Sequence, residues 1–122
     1  MATKANMIIA SPEARTATEI FVITPNNLSN GNFILNITEG ATVDDTLTVS
    51  FQTYDPASKL WLTILTSAAL EAIAITVFSI GNIVSAAANL SVVNFLPRTF
   101  RIVATKNTAT AITYSIGANL SD

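Results

Sequence analysis

The chain of 122 residues contains no cysteine and no histidine, and only 11% of its residues are charged, against roughly 25% in an ordinary soluble domain. It therefore has no thiol nucleophile, no disulfide, no Cys/His zinc site and no imidazole acid–base catalyst. A net charge of −2 provides no basic face for nucleic acid. Glycine-rich phosphate-binding motifs are also absent. These absences predict no catalytic residues, no cofactor, no metal and no nucleic-acid partner.

Charge is scarcest between residues 60 and 97, where Glu71 is the only charged residue. The window 60–80 has the length of a membrane-spanning helix, about 20 residues. Glu71 lies near its middle, where a carboxylate is costly in lipid, and basic anchors are missing from its flanks. We therefore expect two buried strands here and no membrane partner. The apolar stretch 7–10 is too short for a secretory signal.

Alternation of apolar and polar residues at every second position is the main structural signal. It is clearest at 46–54, and a turn at 55–58 then leads into the run 60–66. We expect this pair to form a hairpin. In its second strand, Leu60, Leu62 and Ile64 should share one face, with Trp61, Thr63 and Leu65 on the other.

Seven such runs, separated by turn signals, predict an all-β fold. The expected architecture is a single β-sandwich or jelly-roll-like barrel of about seven short strands, occupying residues 16–122. Short helical turns are expected at most at 11–15, 67–72 and 85–90. The seven predicted strands lie at 18–24, 32–38, 46–54, 60–66, 72–80, 99–105 and 110–117.

Residues 1–15 are expected to form an N-terminal arm ahead of this domain. Met7, Ile8 and Ile9 are consecutive apolar residues with no obvious place in a sheet. An exposed apolar arm is unfavourable in water, so it packs on its own sandwich or docks on a neighbouring chain. These three residues are therefore candidate protein contacts.

Arg98 and Arg101 are two further candidates for protein contact. They lie near the start of a predicted strand and are expected to point to opposite faces. Each guanidinium could meet an acidic group or a phosphate of a partner. The alternative is a solvated edge or an internal ion pair.

Other polar and aromatic residues carry weaker functional hypotheses. Glu39, Asp44 and Asp45 form the densest acidic cluster, but they lack the spacing of an EF-hand, so a solvated loop is expected rather than a calcium site. Scattered acids give no reason to select a catalytic pair. Trp61 is expected in the core, and an exposed aromatic contact is the alternative.

Three stretches resemble a group of small virion proteins of tailed bacteriophages. They are 46–58 (TLTVSFQTYDPAS) with Trp61 after it, 96–103 (LPRTFRIV) and 112–120 (ITYSIGANL). The sequence departs from that group at two turns. Lys59-Leu60 stands where Gly-Lys is common, and 105–109 lacks the usual glycine.

The resemblance implies a non-enzymatic head decoration (cement) protein that binds the outer face of a phage head and stabilises it. The implied partner is the major capsid protein, the implied assembly is a homo-oligomer, with a trimer favoured, and the implied location is the capsid surface after synthesis in the host cytoplasm. The alternatives are an accessory protein of the tail, neck or fibre, or a host-surface recognition module. A recognition module would use Trp61, Tyr54 and the turn 26–32.

Overall fold

The computed structural model describes residues 4–24, 26–81 and 86–122, which form two β-sheets packed face to face. No described residue lies in a helix, and accordingly this part of the chain holds no helix with the length and hydrophobicity of a membrane span. The strands are β1 (Lys4–Arg15), β2 (Glu19–Ile23), β3 (Asn30–Glu39), β4 (Leu47–Asp55), β5 (Leu60–Thr66), β6 (Ala74–Gly81), β7 (Ser91–Val93), β8 (Phe100–Lys106) and β9 (Ile112–Ser121).

The strand order identifies the form of the sandwich. One sheet has the order β1-β9-β3-β6-β7 and the other the order β2-β8-β4-β5. All neighbouring strands are antiparallel except β6 and β7. With the short β7 set aside, eight strands form two sheets of four in the jelly-roll order. The predicted all-β sandwich is confirmed, and its topology is that of a jelly roll.

The core forms where alternating side chains of the two sheets meet. In β3, β4, β8 and β9 buried residues recur at every second position, which is the period of a strand. The ring centre of Phe33 lies 4.9 Å from that of Phe51 and 5.8 Å from that of Phe100, while Phe51 lies 5.4 Å from Phe78. These four rings connect two strands of each sheet.

All seven predicted strands are present, as β2 to β6, β8 and β9. The structure adds β7, which has three residues and pairs in parallel with β6, and β1. Neither shows a sustained alternation in the sequence.

The expected N-terminal arm is wrong for residues 4–15, and residues 1–3 lie outside the described part. Residues 4–15 are the edge strand β1, paired with β9 from Lys4–Ser121 to Arg15–Ile112. Register shifts between Ile8 and Ala10 and between Ala10 and Glu13 accommodate extra residues in β1. Because these bulges break the period of two, the sequence pattern hides the strand. They also occupy the place of the helical turn expected at 11–15.

The other expected helical turns are also not helical where they are described. In 67–72, the backbone of Leu70 exchanges hydrogen bonds of 2.9 and 3.2 Å with Leu47 on β4. Residues 86–90 form a turn in which Ala87 bridges Ser91, and Ser85 lies outside the described residues. Backbone groups in both segments therefore pair with strands or turns.

The prediction of which β5 side chains share a face is wrong across a bulge, because the bulge reverses the alternation of the two faces. The β4–β5 register shifts between Phe51 and Gln52, so that Leu65 lies opposite Phe51 and is buried. Beyond the shift Trp61 pairs with Tyr54. Trp61 is therefore on the outer face and half-buried, not in the core.

The turn between β4 and β5 is organised by Asp55. Its carboxylate accepts hydrogen bonds from the Ser58 hydroxyl at 2.5 Å and from the Ala57 N–H at 3.1 Å. These hydrogen bonds hold the pKa of Asp55 below its usual range, and the bond from Ser58 has the largest effect. The turn closes with Lys59 at a φ of 62°, in the left-handed region that favours glycine.

We predict that Lys59→Gly raises the free energy of unfolding by about 0.5–1 kcal/mol. A residue with a Cβ atom loses roughly 1–2 kcal/mol in the left-handed region, and the greater freedom of glycine in the unfolded chain offsets part of the gain. Urea unfolding measures the difference. Ala57→Gly in the same turn is the control and should lower stability. Equal or lower stability of Lys59→Gly would contradict the strain at this position.

Candidate interaction surfaces

One edge of the sandwich carries an apolar groove between β1 and β2. These are the outermost strands of their sheets, and in the described part of the chain no strand pairs with the outer edge of either. The groove has a volume of about 300 Å³. It is lined by Met7, Ile8 and Ile9 of β1 and by Phe21, Val22 and Ile23 of β2. We call these six residues the edge groove.

The three candidate contact residues of the N-terminal segment have different surroundings. Met7 and Ile9 are half-buried and pack against the core. Ile8 is 79% exposed and points away from the core. A contact of these residues with a partner remains a prediction, and Ile8 is the one most available for it.

Arg15 ties β1 to β2 beside the edge groove. Its side chain is buried, and its guanidinium donates to the backbone oxygens of Tyr114 at 2.6 Å and Ser11 at 2.8 Å. Its Nε donates to the Glu19 carboxylate on β2 at 3.1 Å. Arg15 is not among the functional residues that the sequence pattern predicts. The only available signal was the acids two residues before and four residues after it, since Tyr114 is remote in sequence.

Tyr114 lies beneath this guanidinium, with Cζ of Arg15 4.5 Å from the ring centre. Its side chain is 0% exposed, and its hydroxyl makes no hydrogen bond within the described residues. Burial raises the pKa of Tyr114 to about 12, and the positive charge of Arg15 opposes that rise. The phenol hydroxyl therefore loses its hydrogen bonds to water on folding and gains none in the described part of the protein.

A second surface lies on the outer face of the four-stranded sheet. Cζ of Arg101 is 4.4 Å from the centre of the Trp61 ring, and its Nε donates to Oε1 of Gln52 at 2.6 Å. The Tyr54 ring lies 5.1 Å from that of Trp61. We call these four residues the Trp61 patch. Within the described residues, Arg101 forms no salt bridge and its terminal nitrogens donate no hydrogen bond.

The Trp61 patch continues into the edge groove through β2. Val22 pairs with Arg101, and Ile20 pairs with Val103. Ile20 and Val22 are 53% and 55% exposed. An indole, a positioned guanidinium and apolar side chains therefore form one continuous surface, a combination enriched in protein interfaces.

A third surface crosses the outer face of the five-stranded sheet. Ile8, Gly117, Ile34 and Val77 lie opposite one another on four adjacent strands, and we call them the apolar row. Because Gly117 has no side chain, a shallow groove of about 450 Å³ opens over it. Ile8 belongs both to this row and to the edge groove.

A polar row without charge lies beside the apolar row. It consists of Asn6, Asn119, Asn32 and Ser79 on the same four strands. The Ser79 hydroxyl donates to Oδ1 of Asn32 at 2.7 Å. Amide and hydroxyl groups thus supply the polarity that charged residues supply on most exposed sheets.

Arg98 has surroundings unlike those of Arg101. It lies in the loop before β8, is exposed, and its side chain contacts no acid among the described residues. Its backbone oxygen accepts a hydrogen bond of 2.7 Å from the N–H of Asn26. Arg98 is therefore an exposed charge that no described side chain holds, whereas Arg101 is held by Gln52 and Trp61.

The turn 26–32 is bound to its own fold at Asn26. The Asn26 amide donates to the backbone oxygens of Leu28 at 2.7 Å and Pro97 at 3.0 Å, and its Oδ1 accepts from the Leu28 N–H at 3.1 Å. Asn26 is buried. Its side chain holds the turn against the loop before β8 and is not available to a ligand.

The acidic cluster belongs to a hydrogen-bonded loop. Asp45 accepts from the hydroxyls of Thr108 at 2.5 Å and Thr42 at 3.4 Å. These hydrogen bonds hold the pKa of Asp45 below its usual range, and the bond from Thr108 has the largest effect. Among the described residues, no three carboxylates are grouped so that they could hold a metal ion.

Comparisons with known proteins give one structural likeness to report. No family model and no curated protein matches the chain. A chain in the solved structure of infectious bursal disease virus, Gx strain, aligns with it at a TM-score of 0.45 and 12% sequence identity. The alignment covers 99% of this chain and 33% of the other, so this chain spans about a third of that protein's length.

We predict that Tyr114→Phe raises the free energy of unfolding by about 1 kcal/mol at neutral pH, because it removes a buried hydroxyl that makes no hydrogen bond. A thermal or urea unfolding curve measures this difference. Lower stability of the variant would indicate that the hydroxyl has a partner.

The pH dependence provides a second measurement on the same residue. The pKa of Tyr114 rises from an ordinary 10.0 to about 12 on folding. The stability linked to its protonated form is complete below pH 10 and is lost as the pH rises through 12. Wild type should lose stability over this range more steeply than Tyr114→Phe. Tyr54→Phe, on the outer face, is the matched control and should retain the wild-type decline.

Proposed function

We propose that the protein is a non-enzymatic structural subunit of a virus particle, and specifically a decoration protein that binds the outer face of a tailed-phage head. The observation that carries this proposal is a jelly roll whose exposed strand surfaces are apolar and almost without charge. Jelly rolls are a recurrent architecture of viral capsid domains, although lectins and cupins share it. The surface chemistry is therefore needed to choose among these roles.

The exposed apolar side chains favour a protein that works in contact with others. In the described part of the chain, twelve large hydrophobic residues are between 44% and 79% exposed. Single exposed hydrophobic residues are ordinary, but connected ones mark interaction sites. The apolar row, the edge groove and the Trp61 patch adjoin through Ile8 and Val22, so they provide one connected surface.

The resemblance to phage virion proteins gives the finer assignment. Its three stretches fall on β4 with the following turn, on the approach to β8 with most of that strand, and on β9. These strands carry the core and the Trp61 patch. The major capsid protein is the partner that this resemblance implies, with the capsid surface as location and synthesis in the host cytoplasm.

Stabilisation of a shell follows from binding alone. A subunit that binds the assembled shell but not the separated shell proteins shifts the equilibrium toward the shell by mass action. A copy that contacts two neighbouring shell proteins must be released before they separate. No chemical step is required, which agrees with the residue types that the sequence lacks.

Host recognition, the alternative, has less support on this surface. One face of Trp61 is covered by Arg101, and Asn26 is committed to internal hydrogen bonds. An aromatic platform for a sugar needs an open ring face. Tail, neck or fibre placement is distinguished from decoration by copy number.

The proposal is tested on particles of the virus that encodes the chain. Particles lacking the protein should break at a lower temperature than wild-type particles and, on dilution of the salt, at a higher remaining salt concentration. Adding the purified protein should restore their survival. Roughly hundreds of copies per particle are expected from a position repeated over the shell symmetry, and about six or twelve would indicate a tail or neck component. Equal survival of both particles would exclude the stabilising role.

We predict that Arg101→Gln weakens binding to such depleted shells by about tenfold or more. A positioned guanidinium at an aromatic patch is a typical binding hot spot, and a shell carboxylate would lose its charged partner. Arg101→Lys should restore only part of the affinity, because an ammonium neither stacks on indole nor donates two parallel bonds. Binding is measured by co-sedimentation with the shells.

Arg98→Gln provides the comparison, since it removes the same charge from an arginine that is not held in place. Its effect on binding should be smaller than that of Arg101→Gln. Thermal unfolding should be unchanged in Arg98→Gln, whereas Arg101→Gln should stay folded with stability lower by about 1 kcal/mol, because it loses the contacts with Trp61 and Gln52. An equal loss in both variants would indicate a general charge effect and would contradict the assignment to Arg101.

A further inference from the structure

We propose that β2 pairs edge to edge with β2 of a second copy, joining their four-stranded sheets into one eight-stranded sheet. This inference concerns the purified chain by itself and does not depend on the proposed viral role. It rests on the open edge of β2, on the side chains that β2 presents and on the symmetry of their arrangement.

The outer edge of β2 carries backbone groups that need hydrogen-bond partners. In the described part of the chain β2 pairs only with β8, in continuous register from Glu19–Ala104 to Ile23–Phe100. Its other edge therefore presents unpaired N–H and C=O groups. Such an edge is a template for another extended strand, and water is the only alternative partner.

The other edge strands carry features that discourage pairing, and β2 does not. β1 contains Pro12 and two register shifts, β7 has three residues, and the pairing of β5 with β4 is interrupted by a register shift. Proline, bulges and short length are the usual means by which proteins protect an edge. The sequence of β2 is EIFVI, with no proline and no basic residue.

The single charge of β2 is already paired within the fold, with an arginine that also contacts Glu13. Glu19 accepts a hydrogen bond of 3.1 Å from Nε of Arg15 on β1. The remaining residues of the strand, 20–23, are all apolar and therefore form an uncharged edge. A charged partner strand would gain nothing there, whereas an apolar strand would lose exposed surface.

A second copy fits this edge because β2 is complementary to itself. Antiparallel pairing centred on Phe21 places Ile20 of one copy opposite Val22 of the other, twice about a two-fold axis. Ile20 and Val22 are 53% and 55% exposed, and both lie on the outer face. Apolar branched residues in directly opposed positions stabilise antiparallel pairs.

The positive charges of the two copies do not oppose this pairing. Arg101 lies on β8, one strand in from the new junction. Two copies of Arg101 would be separated by three strand spacings, roughly 14 Å, which exceeds the screening length of about 8 Å at physiological salt. Repulsion between them is therefore small.

The size of the contact indicates a weak dimer. Five residues of strand span about 17 Å, and two stacked sheets with their outer side chains are about 20 Å thick, giving roughly 350 Å² per copy. A standard stable interface buries about 800 Å² per partner. We therefore expect a reversible dimer that forms at high protein concentration, including the local concentration on a particle surface.

Sedimentation equilibrium of the purified chain tests the pairing over concentrations from about 1 μM to 1 mM. The average mass should rise from that of a monomer toward that of a dimer. Val22→Lys should remain monomeric at the top of this range, because it places charges at the junction. Val43→Lys is the matched control. Val43 is 71% exposed in the loop between β3 and β4, so this variant should dimerise like wild type.

Hydrogen exchange locates the contact independently. Amide exchange over 19–23 should slow as concentration rises in wild type and should be independent of concentration in Val22→Lys, with the fold of that variant verified by its unfolding curve. A monomer at every concentration, a dimer that persists in Val22→Lys, or a trimer would overturn the pairing. Binding of the chain to shells is measured separately and can succeed or fail whatever the result.

Discussion

Contact between the inner faces of the two sheets is the interaction on which the structure depends. Phe33 and Phe78 of one sheet meet Phe51 and Phe100 of the other within 6 Å, so each sheet provides the apolar surface that the other must bury. Because only one face of each strand meets the other sheet, buried side chains alternate with more exposed ones along β3, β4, β8 and β9. The loops, and the link that Arg15 makes between β1 and β2, are built on this contact between the sheets.

The clearest strands could be predicted because their alternation is unbroken, as in β4 and β9. β1 could not, since its bulges displace the apolar residues around Ala10 from a period of two. The extra residue at Ile64 in β5 likewise places Trp61 on the outer face and not in the expected core. Arg15 was missed for another reason, because its partner Tyr114 is 99 residues away. Local pattern thus predicted elements, while long-range pairing determined the candidate surfaces.

The surface of the protein carries even less positive charge than the composition indicates, because some of the basic residues are buried. Of the six basic residues, Arg15 and Lys106 are buried, and each donates to backbone oxygens. Fewer cations therefore remain for the surface than the composition indicates. Asn, Ser and Thr occupy exposed strand positions in their place. A protein surface of this kind is poorly suited to long-range electrostatic attraction and well suited to close, dry contact.

The position of β9 between β1 and β3 has a consequence for how the protein is made. Among the described strands β1 leaves the ribosome first and β9 last, yet β9 is the only described strand that pairs with β1. The strand that contains Ile8 therefore stays unpaired until more than a hundred further residues have been synthesised, because Ile8 pairs with Gly117. Closure of this sheet therefore comes late and requires a long chain loop to close, which makes folding slow and exposes the unpaired strand to chaperones.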